Sequence, residues 1–208
     1  ASDRFGKSNS AYHFTGGAYI RIPELFSDTV SAFTWAVWAM QDTIDNNNHE
    51  ILYKGIEKGQ VSMGITRSLS NPVMGFGVCL GNDRNNWYSV NIPDTLKART
   101  YYFFVGRYTK GQKVEFLLDG NLVDSKSIPD LPLYQVAGNP NNYSAIGTVP
   151  IVPAYYWVGV IDDIRIYNRA LGRTEIDSLY HEGGWPMNTP PNAPQLISAT
   201  PGYESITL

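Results

Sequence analysis

Five short stretches of this sequence carry residue types that could do chemistry. Asp162-Asp163 stands inside the otherwise apolar run YWVGVIDDIRIY, residues 156–167. A buried carboxylate must be paired, hydrogen-bonded or metal-bound. Hard oxygen donors suit Ca²⁺, and backbone carbonyls can complete its shell. The competing reading is a salt bridge to nearby arginines. Strand alternation sends the two side chains to opposite faces, so one can bind metal while the other meets Arg165 or solvent. The other four stretches are polar or aromatic loops: Asp45–His49, Asn82–Tyr88, Asn139–Tyr143 and Ala154–Trp157. Amides and carboxylates hydrogen-bond hydroxyl groups, and aromatic rings stack on apolar surfaces. The second loop, NDRNNWY, holds both chemistries in seven residues. Asn also favours turns by bonding its own backbone, which competes with a binding role. Asn142-Tyr143-Ser144 fits a glycosylation acceptor by pattern.

Other chemistries find little support. No GxGxxG follows a strand and no Walker sequence occurs, which removes the simple nucleotide readings. The three histidines, His13, His49 and His181, have no partner at metal-ligand spacing. His13, next to Phe14, reads as packing or surface, and His181 sits near a helix end where positive charge is favoured. Glu175, Asp177 and Glu182 are spaced like a paired-acid set, yet the polar face of a helix accounts for them. Glu50, Glu57 and Glu115 are unpaired in sequence, although a fold could bring them together. No GxSxG serine is present. The formal net charge of -3 leaves no basic footprint for nucleic acid. No apolar run approaches the roughly 18 residues of a membrane span. The single cysteine, Cys79, excludes an internal disulfide and reads as core filling. No signal peptide is visible, and the composition neither requires nor excludes export.

The elements that must position these residues are strands. Apolar residues are 43% of the 208, and Trp 5, Tyr 14 and Phe 8 make a heavy aromatic load that favours β structure. Residues 31–40, SAFTWAVWAM, carry bulk on both alternating faces, as a central strand would. Further strands fall at 50–54, 61–67 and 73–80, the last with Gly75 and Gly77, which suggest close packing or curvature. Residues 101–108 and 112–118 join through Lys110-Gly111. Asp119-Gly120 signals a hairpin into 121–126. Residues 156–167 form the last strong strand. One helix fits 174–181, with Thr174 and Asp177 as a non-ideal capping box and Gly183-Gly184 as its stop. About a dozen strands, one short helix and no βα alternation predict an all-β sandwich or jelly roll over residues 1–184. Residues 185–192, WPMNTPPN, read as a linker, and 193–208 as two strand-like pieces too short for a core.

Several segments carry a resemblance: DRFGKSNSAYHFTGGAYIRIP (3–23), FTWAVWAM (33–40), ILYKG (51–55), VEFLLDG (114–120) and GVIDDIRIYNRALGRTEIDSLYHEGG (159–184). Together they resemble the laminin-G-like, pentraxin-like branch of the concanavalin A-like superfamily, with IDDIRIYNRAL the most specific part. The resemblance implies a jelly-roll sandwich of two antiparallel sheets, one concave, with one short helix near the C-terminus. It also implies a structural Ca²⁺ away from the concave face. Asp162 would be its best carboxylate, Gly16 or Gly17 would supply a carbonyl, and Asp163 and Asp3 are additions. The family's usual acid stands as Thr15 here, and its customary first strand before DRFG is missing. The tail APQLISATPGYESITL resembles the opening of a fibronectin type III domain and could occupy the vacant edge by strand addition.

By that resemblance the expected function is a non-catalytic carbohydrate-binding module of a secreted or cell-surface bacterial multidomain protein. Its partners would be a polysaccharide and covalently linked neighbouring domains, with a monomer expected and no membrane insertion. The expected contacts are Trp87, Tyr88, Asn86, Asp83 and Arg84, with Trp38, Lys54 and Tyr156 on the concave sheet or its rim. An adhesion or spacer domain is the alternative. A glucanase-type enzyme is disfavoured, because the paired-acid strand motif of laminarinase-like glucanases is absent.

Overall fold

A computed structural model describes residues 1–23, 25, 29–55, 61–68, 71–92, 96–134, 143–149 and 155–185. The strands are β1 (Tyr12–Thr15), β2 (Ile20–Ile22), β3 (Ala32–Gln41), β4 (His49–Lys54), β5 (Val61–Ser68) and β6 (Asn71–Cys79). They continue as β7 (Trp87–Ile92), β8 (Tyr102–Thr109), β9 (Lys113–Leu118), β10 (Asn121–Ser127), β11 (Ser144–Ile146) and β12 (Val158–Tyr167). Helix α1 (Arg173–Tyr180) follows, then a 3₁₀ turn at Glu182–Gly184. The first sheet runs β1-β12-β3-β8-β9-β10 and the second β2-β11-β4-β5-β6-β7. Every named pairing is antiparallel. This is the all-β sandwich expected, including the short C-terminal helix.

Alternation explains the core. From β3, Phe33, Trp35, Val37 and Ala39 point inward and meet Phe76, Val78, Met63 and Ile65 of the facing sheet in one buried cluster. Rings of both sheets touch there: Phe33 and Trp35 each lie edge-on to Phe76, with centroids 6.1 Å apart. Such arrangements suit the aromatic quadrupole. The opposite side of β3 is buried as well. Ala36 and Trp38 join Phe103, Val105, Leu117, Leu171 and Ile176 in a second cluster. Helix α1 supplies Ile176, and Tyr180 stacks on Trp38 at 5.7 Å. The expectation of bulk on both faces of this strand is therefore met by a layer on each side.

Turn chemistry matches its residues. Asp119 and Gly120 join β9 to β10 with φ of 49° and 77°, the left-handed region that glycine enters without cost. Two details differ from expectation. The helix starts at Arg173, and Glu175, not Thr174 with Asp177, completes its start. The Glu175 carboxylate accepts the Gly172 N–H at 2.8 Å and two Arg169 hydrogen bonds at 2.9 and 2.6 Å. Cys79 is buried, yet it faces away from the inter-sheet core, and its thiol donates to the Asp83 carbonyl at 3.4 Å. The linker beyond Trp185 and the tail 193–208 lie outside the described residues. The fibronectin-like start and the strand addition fall there too.

The two edge strands β1 and β2 flank a cavity of about 290 Å³ lined by Phe14, Ile20, Ile146 and Ile161 among others. Elsewhere the sheets meet closely. A Cβ at Gly106 of β8 would run into the Phe76 ring, so this site requires a bare backbone. Gly106→Ala is expected to destabilise the protein by about 1–3 kcal/mol through overpacking. Urea unfolding checks this: the midpoint should fall with the slope unchanged.

Candidate binding face

The inward-facing apolar set decides what the second sheet shows outward. In β5, Val61, Met63 and Ile65 are core, which leaves Ser62 and Gly64 outside. In β6, Met74, Phe76 and Val78 are core, which leaves Gly75, Gly77 and Cys79. In β7, Val90 and Ile92 are core and Tyr88 packs against them, which leaves Trp87, Ser89 and Asn91. In β4 a register shift after Glu50 keeps Leu52 inward while Glu50 and Tyr53 face out.

Register aligns these residues into rows. One row crosses all six strands as Arg21, Ala145, Tyr53, Ser62, Gly77 and Ser89. The next runs Glu50, Gly64, Gly75, Asn91. The glycines are a floor over which polar side chains lie flat. A Cβ at Gly64 would strike Glu50 Oε2. A Cβ at Gly75 would come within 2.6 Å of Asn91 Oδ1. At Gly77 it would meet Ser89 Oγ at 2.7 Å and the Trp87 ring at 3.3 Å. Directly opposed residues of an antiparallel pair stand about 4.5–5.5 Å apart. Glu50 and Asn91 thus lean toward each other over a paired Gly64–Gly75 floor, with Ser62, Ser89 and Trp87 beside them.

Glu50 is the chemically unusual member. It is 8% exposed. Its Oε1 accepts the Ser62 hydroxyl at 2.8 Å. Its Oε2 is buried and has no hydrogen-bond partner. Burial pushes the carboxyl up to about 8, against a smaller downward pull from Ser62. Glu50 is therefore a neutral acid at neutral pH, able to donate one hydrogen bond and accept others. Burial also raises the Tyr53 phenol, and pushes the Cys79 thiol to about 11, so that thiol is inert. Sequence reasoning registered Glu50 only as an unpaired acid. The available signal was its place in a strand opposite Ser62 and Gly64.

The expected site residues scatter. Trp87 lies on this face, half-buried. Tyr88 does not: alternation turns it to the core side, with the Lys126 ammonium 5.6 Å from its ring. Asp83 and Asn86 build the turn between β6 and β7. Asp83 Oδ1 accepts the Asn85 N–H at 2.9 Å, and the Asn86 amide donates to the Leu80 carbonyl at 3.1 Å. Arg84 is exposed at the tip of that turn. Tyr156 is half-buried, and its carbonyl lies 2.6 Å from His49 Nδ1. Lys54 and Trp38 are corrections. Lys54 is 0% exposed and pairs in register with Val61, on the inward side. Trp38 is 1% exposed, beneath Tyr180 and against Phe103 on the other sheet. Neither has a surface to offer a ligand. Asn139–Asn142 lie outside the described residues.

The proposed calcium ligands do not converge. Asp162 and Asp163 share Arg4, whose Nη1 is 3.3 Å from Asp162 and 2.5 Å from Asp163. The same guanidinium lies 4.8 Å from the Trp38 ring centroid and 4.3 Å from that of Phe5. A register shift between Asp162 and Arg165 bulges the strand there and gives Asp163 a φ of 44°. Asp3 accepts the N–H groups of Phe5 and Lys7, a turn role. Gly16 and Gly17 follow Thr15, which pairs with Val158, whereas Asp162 lies beyond the Tyr12–Ile161 pair at the opposite end of β1. At about 3.3 Å per residue, four to five strand positions separate them. A cation already holds both carboxylates, so these residues do not fit Ca²⁺. Among the described residues, no three His, Cys, Asp or Glu side chains are grouped to hold a metal.

Two six-stranded antiparallel sheets with this order define a lectin-type sandwich of the concanavalin A-like class. The chain belongs to the Laminin_G_3 family of the concanavalin A-like lectin/glucanases superfamily, whose model matches residues 14–177. Solved structures share the fold at low identity. The CBM40 of the Ruminococcus gnavus IT-sialidase, bound to α2,3-sialyllactose, is 14% identical with a TM-score of 0.65, covering 83% of this chain and 96% of that one. Domain 4 of AbnA, a GH43 extracellular arabinanase from Geobacillus stearothermophilus in complex with arabinotriose, is 19% identical with a TM-score of 0.59, covering 86% and 79%. The receptor-binding domain of the botulinum neurotoxin C/D mosaic serotype is 12% identical with a TM-score of 0.64, covering 87% of this chain, which spans only 44% of that one. No curated protein matches the sequence.

The Glu50 carboxyl makes stability pH-dependent with a definite sign. Its folded value of about 8 lies above the ordinary 4.5, so the folded state binds more protons between those values. Its contribution is fully present below about pH 4.5 and is lost as pH rises through about 8. A tenfold change in proton affinity is worth about 1.4 kcal/mol, which bounds the contribution at several kcal/mol. Glu50→Gln removes this dependence. The variant should gain stability over wild type as pH rises from 5 to 9, in denaturant melts at each pH. A difference that stays flat across that range contradicts the assignment.

Proposed function

We propose that this domain is a non-catalytic carbohydrate-binding module and that the outer face of the second sheet is its binding surface. The observation that carries this is the glycine floor beside β7, over which Asn91, Ser89 and Trp87 lie as a polar surface with an aromatic edge, with Glu50 buried next to it. Sugars need hydroxyl-matching donors and acceptors together with an apolar ring face to stack on, and this face supplies both. Membership of a lectin and glucanase superfamily supports the reading. So does the presence of sugar ligands in the similar sialidase and arabinanase domains.

The acid count supports a non-catalytic role. Glycoside hydrolysis requires two carboxyl groups flanking the bond, roughly 5–9.5 Å apart. Among the described outward positions of β4 to β7, Glu50 is the one carboxyl. The other face of the molecule is closed: helix α1 and Trp185 cover the first sheet. A secreted or surface setting agrees with a role in tethering a larger protein to a glycan.

Affinity electrophoresis against a panel of soluble polysaccharides tests this. Wild type should be retarded by at least one. Trp87→Ala should weaken that interaction roughly tenfold, about 1.4 kcal/mol, with the melting temperature little changed. Tyr12→Ala, 69% exposed on the far edge strand, should bind as wild type. Loss on Tyr12→Ala with none on Trp87→Ala would place the site elsewhere.

A further inference from the structure

Resting on the reading above, we infer that the ligand is an extended glycan chain laid lengthwise along β7, with one sugar unit on Trp87 and Ser89 and the next on Asn91. These three residues stand at alternate positions of one strand and share its outer face. All three are accessible: Trp87 is half-buried, while Ser89 and Asn91 are exposed. Across the sheet the outer face closes quickly. Gly64 on β5 is buried, as are Glu50 and Tyr53 on β4. A ligand that follows accessible side chains therefore runs along β7 and not over the sheet toward β4.

The glycines of β6 set the contact points on this strand. Pairing places Ser89 beside Gly77 and Asn91 beside Gly75. A Cβ on Gly77 would meet Ser89 Oγ at 2.7 Å and the Trp87 ring at 3.3 Å, so the hydroxyl and the indole converge over one glycine. A Cβ on Gly75 would meet Asn91 Oδ1 at 2.6 Å, so the amide lies over the other. The two glycines are two residues apart, about 7 Å of strand. A sugar stacked on the indole finds Ser89 Oγ for its own hydroxyls. The amide lies beyond its rim, where the next unit of a chain falls. Asn91 is held at that distance, because Asp124 Oδ2 of the edge strand β10 accepts its backbone N–H at 3.0 Å. Its amide brings an acceptor oxygen and two N–H donors, which neighbouring hydroxyls match.

NMR titrations of the isotope-labelled domain test this, because they read both contacts and the weak affinities of single sugars. The probes are the one-, two- and three-unit oligomers of arabinan, xylan, β-1,3-glucan and β-1,4-glucan. In a series that binds, the single sugar should shift the Gly77 amide and the Trp87 indole. The disaccharide should shift the Gly75 amide and the Asn91 side chain as well. Affinity should rise about tenfold or more from one unit to two. Asn91→Ala should weaken the disaccharide about fivefold or more and leave the single sugar within about twofold, with melting temperatures recorded to confirm folding. Trp87→Ala should weaken both. A single sugar that binds as tightly as the trisaccharide would overturn the inference. So would full disaccharide and trisaccharide affinity in Asn91→Ala. If Trp87→Ala still loses affinity in either case, the binding-module reading stands and only the lengthwise placement is wrong. If folded wild type binds none of the probes, the reading and the inference fall together.

Discussion

Side chains on a strand alternate, and this sandwich spends one side of every central strand on the core it shares with the facing sheet. What remains for function is whatever the other side carries. In the first sheet that other side is apolar too, because Trp38, Phe103, Val105 and Leu117 require a cover. Helix α1 is that cover, anchored by Ile176 and by the stacking of Tyr180 on Trp38. In the second sheet the outward residues of β5 to β7 are Ser62, three glycines, Cys79, Trp87, Ser89 and Asn91, while Glu50 and Tyr53 of β4 and Ala145 of β11 are outward but buried. Among the described residues no helix lies on them. The same alternation therefore closes one face and leaves the β7 side of the other polar and accessible. The glycines matter because they let Glu50, Asn91 and Trp87 lie close to the backbone, where their groups are held in place by the sheet.

Arg4 is the positive partner of the paired carboxylates on the closed side. Two adjacent carboxylates in an apolar strand need a positive partner, and the short N-terminal turn built on Asp3 delivers one. The bulge at Asp163 lets both carboxylates reach the same guanidinium, which alternation alone would forbid. Burial, ahead of the neighbouring Asp163 charge, raises the Asp162 carboxyl, and Arg4 opposes both. The guanidinium also rests on Trp38, so the ion cluster and the second apolar cluster are one packed unit.

Much of the fold was legible from pattern. The two-sided bulk of Phe33–Met40, the Asp119-Gly120 turn and the single late helix all follow from alternation and local turn chemistry. The candidate site was less legible, for physical reasons. The loop Asn82–Tyr88 attracts notice by composition, but Asp83 and Asn86 use their polarity on the turn itself, and Tyr88 turns inward. Trp87 alone of that stretch faces outward over the sheet, one step of alternation away from Tyr88. Trp38 and Lys54 looked available because period-two patterning does not reveal which side a helix or a neighbouring strand will cover. Glu50 was hidden because its significance depends on register: only pairing β4 with β5 and β5 with β6 sets it over Gly64 and Gly75. The residues expected to hold calcium are spread for the same reason. Asp162 and Gly16 belong to one strand pair but to its opposite ends.

The central claim is that ligand recognition belongs to the glycine-floored outer face of the second sheet. An amide-resolved NMR titration with the oligosaccharide that binds best reads this directly, since glycine amides resonate apart from the rest. Saturating shifts at Gly64, Gly75, Gly77, Asn91 and the Trp87 indole, with Trp38 and Tyr180 unmoved, are the predicted result. Shifts confined to the first sheet, to β1 or to the Asn82–Asn86 turn would contradict the account.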